Sequence, residues 1–286
     1  MEMKEKIAKK DQDKGFDIWS KWGMTQKDAS VCLGPYSSYQ WRNSRRHLLF
    51  TAARYKFAMK MIGNMYETEK RKVLDLGCND GFGTYYAAEY AQSVLAVDFD
   101  EDAIAYAKEN SCDSIEFRLE NFLDKYYGEY DAVVSFDVLE HIYPEDEEKY
   151  MNTVLKNLKD SGTFVVGTPS LESQQYSKEN VSNAHVNVYK GEDFYYMLRR
   201  YFHNVYLFTQ NDEIIHTGHL RMANYLIAVC ANKKQRSATE DSLKNGGGYF
   251  GLSYILILGH PGIHKRDNNR RVTIKQNMQL QRKAAA

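Results

Sequence analysis

From position 72 to 168 the chain repeats one pattern that leaves few architectures open: a short apolar run of strand length, then a segment of helical period. The runs are KVLDLG (72–77), SVLAVDF (93–99), IEFRL (115–119), YDAVVSF (130–136) and GTFVVGT (162–168). Between them helices are predicted after Gly83, over Glu101 to Asn110, and from about Glu145 to Lys159, the last opening after Pro144 with acids in its first turn. Strands this uniformly apolar need cover on both faces, and alternation with helices supplies it when the strands run parallel. Beyond Pro169 come a polar loop (170–183), a helix from about Gly191 to Phe202, and strands near 205–209 and 224–231, so the sheet should end in an antiparallel strand. Upstream, 16–41 shows no clear period and reads as irregular structure with a helical turn or two. Positions 45–63 (RRHLLFTAARYKFAMKMIG) read as a helix stopped by Gly63.

The first strand runs into VLDLGCNDGFG (73–83), which sets Asp75, Gly77, Asn79, Gly81 and Gly83 between the strand end and the next helix. In an open parallel sheet the ligand crevice lies outside the carboxyl ends of the strands. Glycine there permits positive φ and close approach of a ligand to the backbone, and asparagine is among the residues that best tolerate the left-handed region. The spacing departs from the G-x-G-x-x-G of dinucleotide sites. The second strand ends in Asp98, where an acid can accept both hydroxyls of a ribose. The expected fold class is therefore α/β: a Rossmann-like, doubly wound, mostly parallel sheet with an antiparallel C-terminal strand and an N-terminal helical extension.

In order and spacing, VLDLGCNDGFG, AVDFDEDAIAYA, RLENFLD, YDAVVSFDVLEHI and NLKDSGTFVVGTPS resemble the successive motifs of class I S-adenosylmethionine (SAM)-dependent methyltransferases, over roughly residues 54–231. The resemblance implies SAM as cofactor. Asp75 and Gly77 would hold its methionine end, Asn79 and Gly81 would complete the loop, Asp98 would take the ribose and Phe99 one face of the adenine. Glu120, Asn121 and Phe122 would lie beside the adenine, with Asn121 standing where the family usually has aspartate, and Phe136 would also line the cofactor. On this reading the chain divides into an N-terminal helical extension or lid (1–65), a SAM-binding methyltransferase domain (66–232), and a linker with a basic C-terminal tail (233–286). Arg54, Tyr55 and Lys56 fall where related enzymes place a helical lid.

Directly after the fourth strand come Asp137, Glu140 and His141. A helical turn there would put i, i+3 and i+4 on one face, so the three would converge in the crevice. His185, in NAHVNVY, belongs to the loop after the fifth strand and opens at the same edge. Two carboxylates and two imidazoles can hold Mg²⁺, Mn²⁺ or Zn²⁺, and the arrangement is similar to that of metal-dependent ubiquinone-biosynthesis O-methyltransferases and small-RNA 2′-O-methyltransferases. Alternatively His141 or His185 acts as a catalytic base without metal, or the histidines only shape the pocket. A hydroxyl acceptor needs its proton removed, which a histidine or a metal-lowered pKa supplies.

Composition narrows the partners. Lysine plus arginine equal aspartate plus glutamate at 38 each, so no net field recruits nucleic acid or an anionic membrane, which leaves only local patches to do so. Cys32, Cys78, Cys112 and Cys230 lack the spacing of zinc or redox sites and read as reduced, cytoplasmic thiols. The charged N-terminus has no apolar leader core, and the longest apolar run (249–259) is far below the ~20 residues that span a bilayer, so neither secretion nor membrane insertion is expected. The expected reaction is O-methylation of a sugar, a polysaccharide precursor or another small-molecule hydroxyl. The GPYSSYQW and RYKF segments are similar to methyltransferases of bacterial surface-polysaccharide synthesis. RNA methylation, favoured by the basic tail, and a SAM-binding module without turnover are the alternatives.

Overall fold

The computed structural model describes residues 33–63, 71–177 and 183–235. The tail expected after 233 and the apolar run 249–259 lie outside the described residues, apart from positions 233–235. Two helices come first, α1 (Pro35–Asn43) and α2 (Arg45–Met61). Then follow β1 (Lys72–Leu76), α3 (Phe82–Ala88), β2 (Ser93–Asp98), α4 (Glu101–Glu109), β3 (Ile115–Leu119), β4 (Tyr130–Phe136), α5 (Glu147–Asn157) and β5 (Leu158–Pro169). The chain ends, among the described residues, with α6 (Gly191–Arg199), β6 (Phe202–Gln210), β7 (Ile215–His216) and β8 (Tyr225–Lys233).

The sheet order is β3-β2-β1-β4-β5-β8-β6-β7. The first five strands run parallel to one another, and β8 enters antiparallel between β5 and β6. The order reverses at β1, between β2 and β4, which is the switch point where ligands bind in such sheets.

Alternation along each strand divides the core in two. Leu74, Leu76, Leu95, Val97 and Val133 pack with Tyr150, Met151 and Val154 of α5 and with Phe194 and Leu198 of α6. Val73, Val94, Ala96, Ala132 and Val134 face the other way, onto Tyr55, Ala58 and Met59 of α2, Ala87 of α3, and Ile104 and Ala107 of α4. Burying each of the larger side chains contributes about 1.5–3 kcal/mol. The same period puts Asp75 on the Val73 side of β1, toward α2.

Local capping explains where helices begin. Asp100 accepts the Ala103 N–H at 3.0 Å ahead of the acidic first turn of α4. The α1 helix differs from the expectation of irregular structure. Pro35 supplies the pre-set φ of its first turn, and the cap comes from a distant residue: Asp80 accepts the Ser37 N–H at 2.7 Å and the Ser37 hydroxyl at 2.9 Å. No local spacing announces that bond, which fastens α1 to the glycine loop.

Candidate active site

The loop after β1 takes the conformations its residues favour: Gly77, Asn79 and Gly81 have φ of +80°, +50° and +82°. A methyl group on Gly77 would collide with Val138, so the two chain segments meet closely there. Asp98 ties the loop to β2, accepting the Asn79 N–H at 2.8 Å and the Asp100 N–H at 3.0 Å on opposite oxygens. A carboxylate offers about four lone-pair positions. Each oxygen therefore keeps one for a vicinal diol. Beside it Phe99 is 74% exposed, an uncovered ring at the rim of the crevice. This cradle, with its paired acceptors and its bare aromatic face, fits an adenine nucleoside.

Other expected cofactor contacts are distributed differently. Asp75 does not open onto the crevice: it is fully buried, accepts the Tyr55 hydroxyl at 2.9 and 3.0 Å, and accepts the Thr84 hydroxyl at 2.6 Å. Burial pushes its carboxyl up to about 7, against the opposing pull of the two donors. In this arrangement it anchors α2. Phe122 lies in the core, its ring 6.3 Å from that of Tyr150, and exposed Asn121 spends its side-chain oxygen on the Leu123 N–H at 3.0 Å. Phe136 is buried against Tyr55, the ring centres 5.1 Å apart. Phe99 is thus the exposed ring among these three phenylalanines.

Of the four side chains expected to converge, Asp137 stands apart from the other three. Asp137 has φ +57° and precedes the short 3₁₀ turn Leu139–His141, so it does not share a helical face with Glu140 and His141. Both its oxygens are taken by Arg54 of α2, at 2.9 and 2.6 Å. That guanidinium is buried, and it also lies 4.5 Å over the ring of Tyr225.

The remaining three converge. Ligand atoms of Glu140, His141 and His185 lie within 4.8 Å of one another. The Glu140 carbonyl accepts the N–H groups of Val186 (2.8 Å) and Asn187 (3.1 Å), which brings the His185 loop to the 3₁₀ turn. The imidazole rings meet edge to face at 5.2 Å. His141 Nδ1 sits 3.1 Å from the Ala184 carbonyl, and His185 Nδ1 sits 2.8 Å from the Gln174 side-chain oxygen. Both partners can only accept, so each Nδ1 carries the proton and each Nε2 keeps a free lone pair. Burial lowers the His185 pKa, with His141 adding to the effect and Asp137 opposing it, which favours the neutral ring. Glu140 is sealed beneath them, accepts the Thr168 hydroxyl at 3.0 Å, and is pushed by burial and by Asp137 up to about 8. Thr168 and Gln174 carried no signal in the sequence. Gln174 became legible only with the loop in place.

Residues 67–204 match the family model described as a methyltransferase domain. This chain carries a class I SAM-dependent methyltransferase domain. Over 102 residues it is 32% identical to a Mycobacterium tuberculosis protein named "Probable S-adenosylmethionine-dependent methyltransferase", the match covering 35% of this chain and 36% of that one. To phosphoethanolamine N-methyltransferase 1 of Arabidopsis thaliana it is 32% identical over 129 residues, covering 40% of this chain and 26% of the relative. The matched part of the chain thus spans only about a quarter to just over a third of the length of these curated relatives. A chain solved as the DhpI–SAH complex has the same fold, with a TM-score of 0.52 and 16% identity, covering 70% of this chain and 93% of that one.

Proposed function

We propose that this methyltransferase domain moves the methyl group of SAM to a hydroxyl of a sugar or another small molecule, with His141 and His185 at the acceptor. The observation that carries this reading is the pair of imidazoles whose Nδ1 atoms are committed to carbonyl oxygens and whose Nε2 lone pairs remain free. SAM, when bound, supplies a methyl group on a sulfonium leaving group. The chain's own work is then to align the acceptor, exclude water and take up one proton. An Nε2 lone pair is the receiving atom. His141, half exposed, faces the mouth of the site, and His185 holds its ring in place edge to face. Asp98 and Phe99 would receive the ribose and adenine.

A second reading rests on the same three side chains. Glu140, His141 and His185 offer one oxygen and two nitrogens to a divalent ion, and carbonyl partners on both Nδ1 atoms are what orients histidine ligands at metal sites. Such an ion would lower the pKa of a bound acceptor hydroxyl.

One experiment separates the two. Labelled SAM is offered with a panel of nucleotide sugars and glycans, with and without chelator. Under the base reading chelator changes nothing, and His141→Ala or His185→Ala slows transfer by ~10²–10⁴-fold while SAM affinity is kept. Under the metal reading chelator stops transfer and added divalent ion restores it. Undiminished turnover in both variants, unaffected by chelator, removes the histidines from the chemistry. Methyl transfer found only to RNA or to amines overturns the acceptor assignment.

A further inference from the structure

The N-terminal helices also present an exposed, basic outer surface. Between positions 33 and 63 the sequence holds six arginines and lysines and no acid. Arg54 is buried against Asp137; Arg42, Arg45, Arg46, Lys56 and Lys60 are all exposed. None of these five forms an ion pair with another described residue. On α2, at about 100° per residue, Arg45, Leu49, Lys56 and Lys60 fall within about 60° of one another, opposite the buried Phe50, Arg54 and Ala58. Apolar side chains are interleaved with this charge. Leu49 is 59% exposed, and on α1 Tyr39 and Trp41 are 57% and 54% exposed, with the Arg45 guanidinium 5.6 Å over the Trp41 ring.

We propose that the outward face of α1 and α2 is a peripheral docking surface for an anionic phospholipid bilayer. Charge complementarity selects an anionic partner, since a row of cations with no ion-pair partner among the described residues is a local positive field on a chain of zero net charge. The interleaved leucine and aromatics select lipid over a polyanion. A bilayer interface takes up exposed Leu, Trp and Tyr among cations, whereas a phosphate backbone makes no use of an exposed leucine. The attachment is in the plane of the interface: α2 has 17 residues, its other face is packed in the core, and no helix among the described residues is long and apolar enough to cross a membrane. The buried face of α2 carries Arg54 and Tyr55, which hold Asp137 and Asp75, so the docking face lies on the outer side of a helix anchored to the sheet.

The test is co-sedimentation of the full chain at low ionic strength with vesicles of phosphatidylcholine alone or with one-third phosphatidylglycerol. Binding is expected to the anionic vesicles and not to the neutral ones. R45E/R46E/K60E should lower the partition more than about tenfold, and the pair L49Q/W41S should lower it several-fold. SAM affinity by calorimetry should be unchanged in every variant, because all five side chains are exposed and none hydrogen-bonds to Asn79, Asp98 or Asp100 of the cradle. No binding to anionic vesicles overturns the proposal, as does binding that survives the charge reversals. Binding lost with the cations but indifferent to Leu49 and Trp41, together with equal capture by RNA, overturns the lipid in favour of a polyanion. The assay needs no turnover, so its failure leaves the methyl-transfer reading untouched.

Discussion

The Arg54–Asp137 pair makes the two singly altered proteins unequal, because its charges are unequally buried. The Arg54 side chain is 1% exposed and that of Asp137 is 28% exposed. Asp137→Asn keeps the shape and tolerates φ +57°, since asparagine favours the left-handed region as aspartate does. It leaves a guanidinium charge sealed under Tyr225 with no counter-charge. Breaking a buried pair from that side costs about 3–5 kcal/mol. Arg54→Met keeps the apolar packing under Tyr225 and strands only a carboxylate that can turn partly to water, so about 1–2 kcal/mol is expected once solvent screening is allowed for. The double variant should sit close to Arg54→Met, because removing both charges leaves nothing uncompensated. Urea unfolding of the full chain, followed by far-ultraviolet circular dichroism, reads all three. Equal costs for the two single variants, or a cost below about 1 kcal/mol for Asp137→Asn, would refute the view that Asp137 serves chiefly to hold a buried arginine.

Three further outcomes are expected. Asp98→Ala should weaken SAM binding by about 1–3 kcal/mol in calorimetry, the loss of hydrogen bonds to a charged group; tight NADH binding with no SAM binding would sink the assignment. Burial raises the Asp75 carboxyl from 3.8 to about 7, so the folded state holds a proton that the unfolded chain releases. The stability this contributes is complete below about pH 3.8 and is lost as pH rises through about 7. Melting temperatures between pH 5 and 8 should therefore fall less for Asp75→Asn than for the wild type, and parallel curves would refute the assigned burial. Gly83→Ala would drive a methyl group into the Tyr55 ring, costing about 1–3 kcal/mol and raising protease cleavage within α2; unchanged stability would mean that α2 does not pack on the loop as described.

What the sequence alone determined is what depends on near neighbours and on period. Apolar runs at strand length fixed the five parallel strands, glycine and asparagine marked the left-handed loop at 77–81, and the period of β2 set Asp98 at its carboxyl end. Such features cost or gain free energy within a few residues, so they are written where they act. Tertiary structure decided which distant groups leave water together. Period told that Asp75 lies on one face of β1, but only the arrival of α2 made Tyr55 its partner. A helical reading of Asp137, Glu140 and His141 was locally sound. It failed because Arg54, 83 positions earlier, needed a counter-charge once buried and took both carboxylate oxygens. His185 reaches His141 through the Glu140 carbonyl and is turned by Gln174, and α1 begins where it does because Asp80 caps it from the glycine loop. A buried polar group must find a partner somewhere in the fold, and the chain between the two partners does not encode which one it will be.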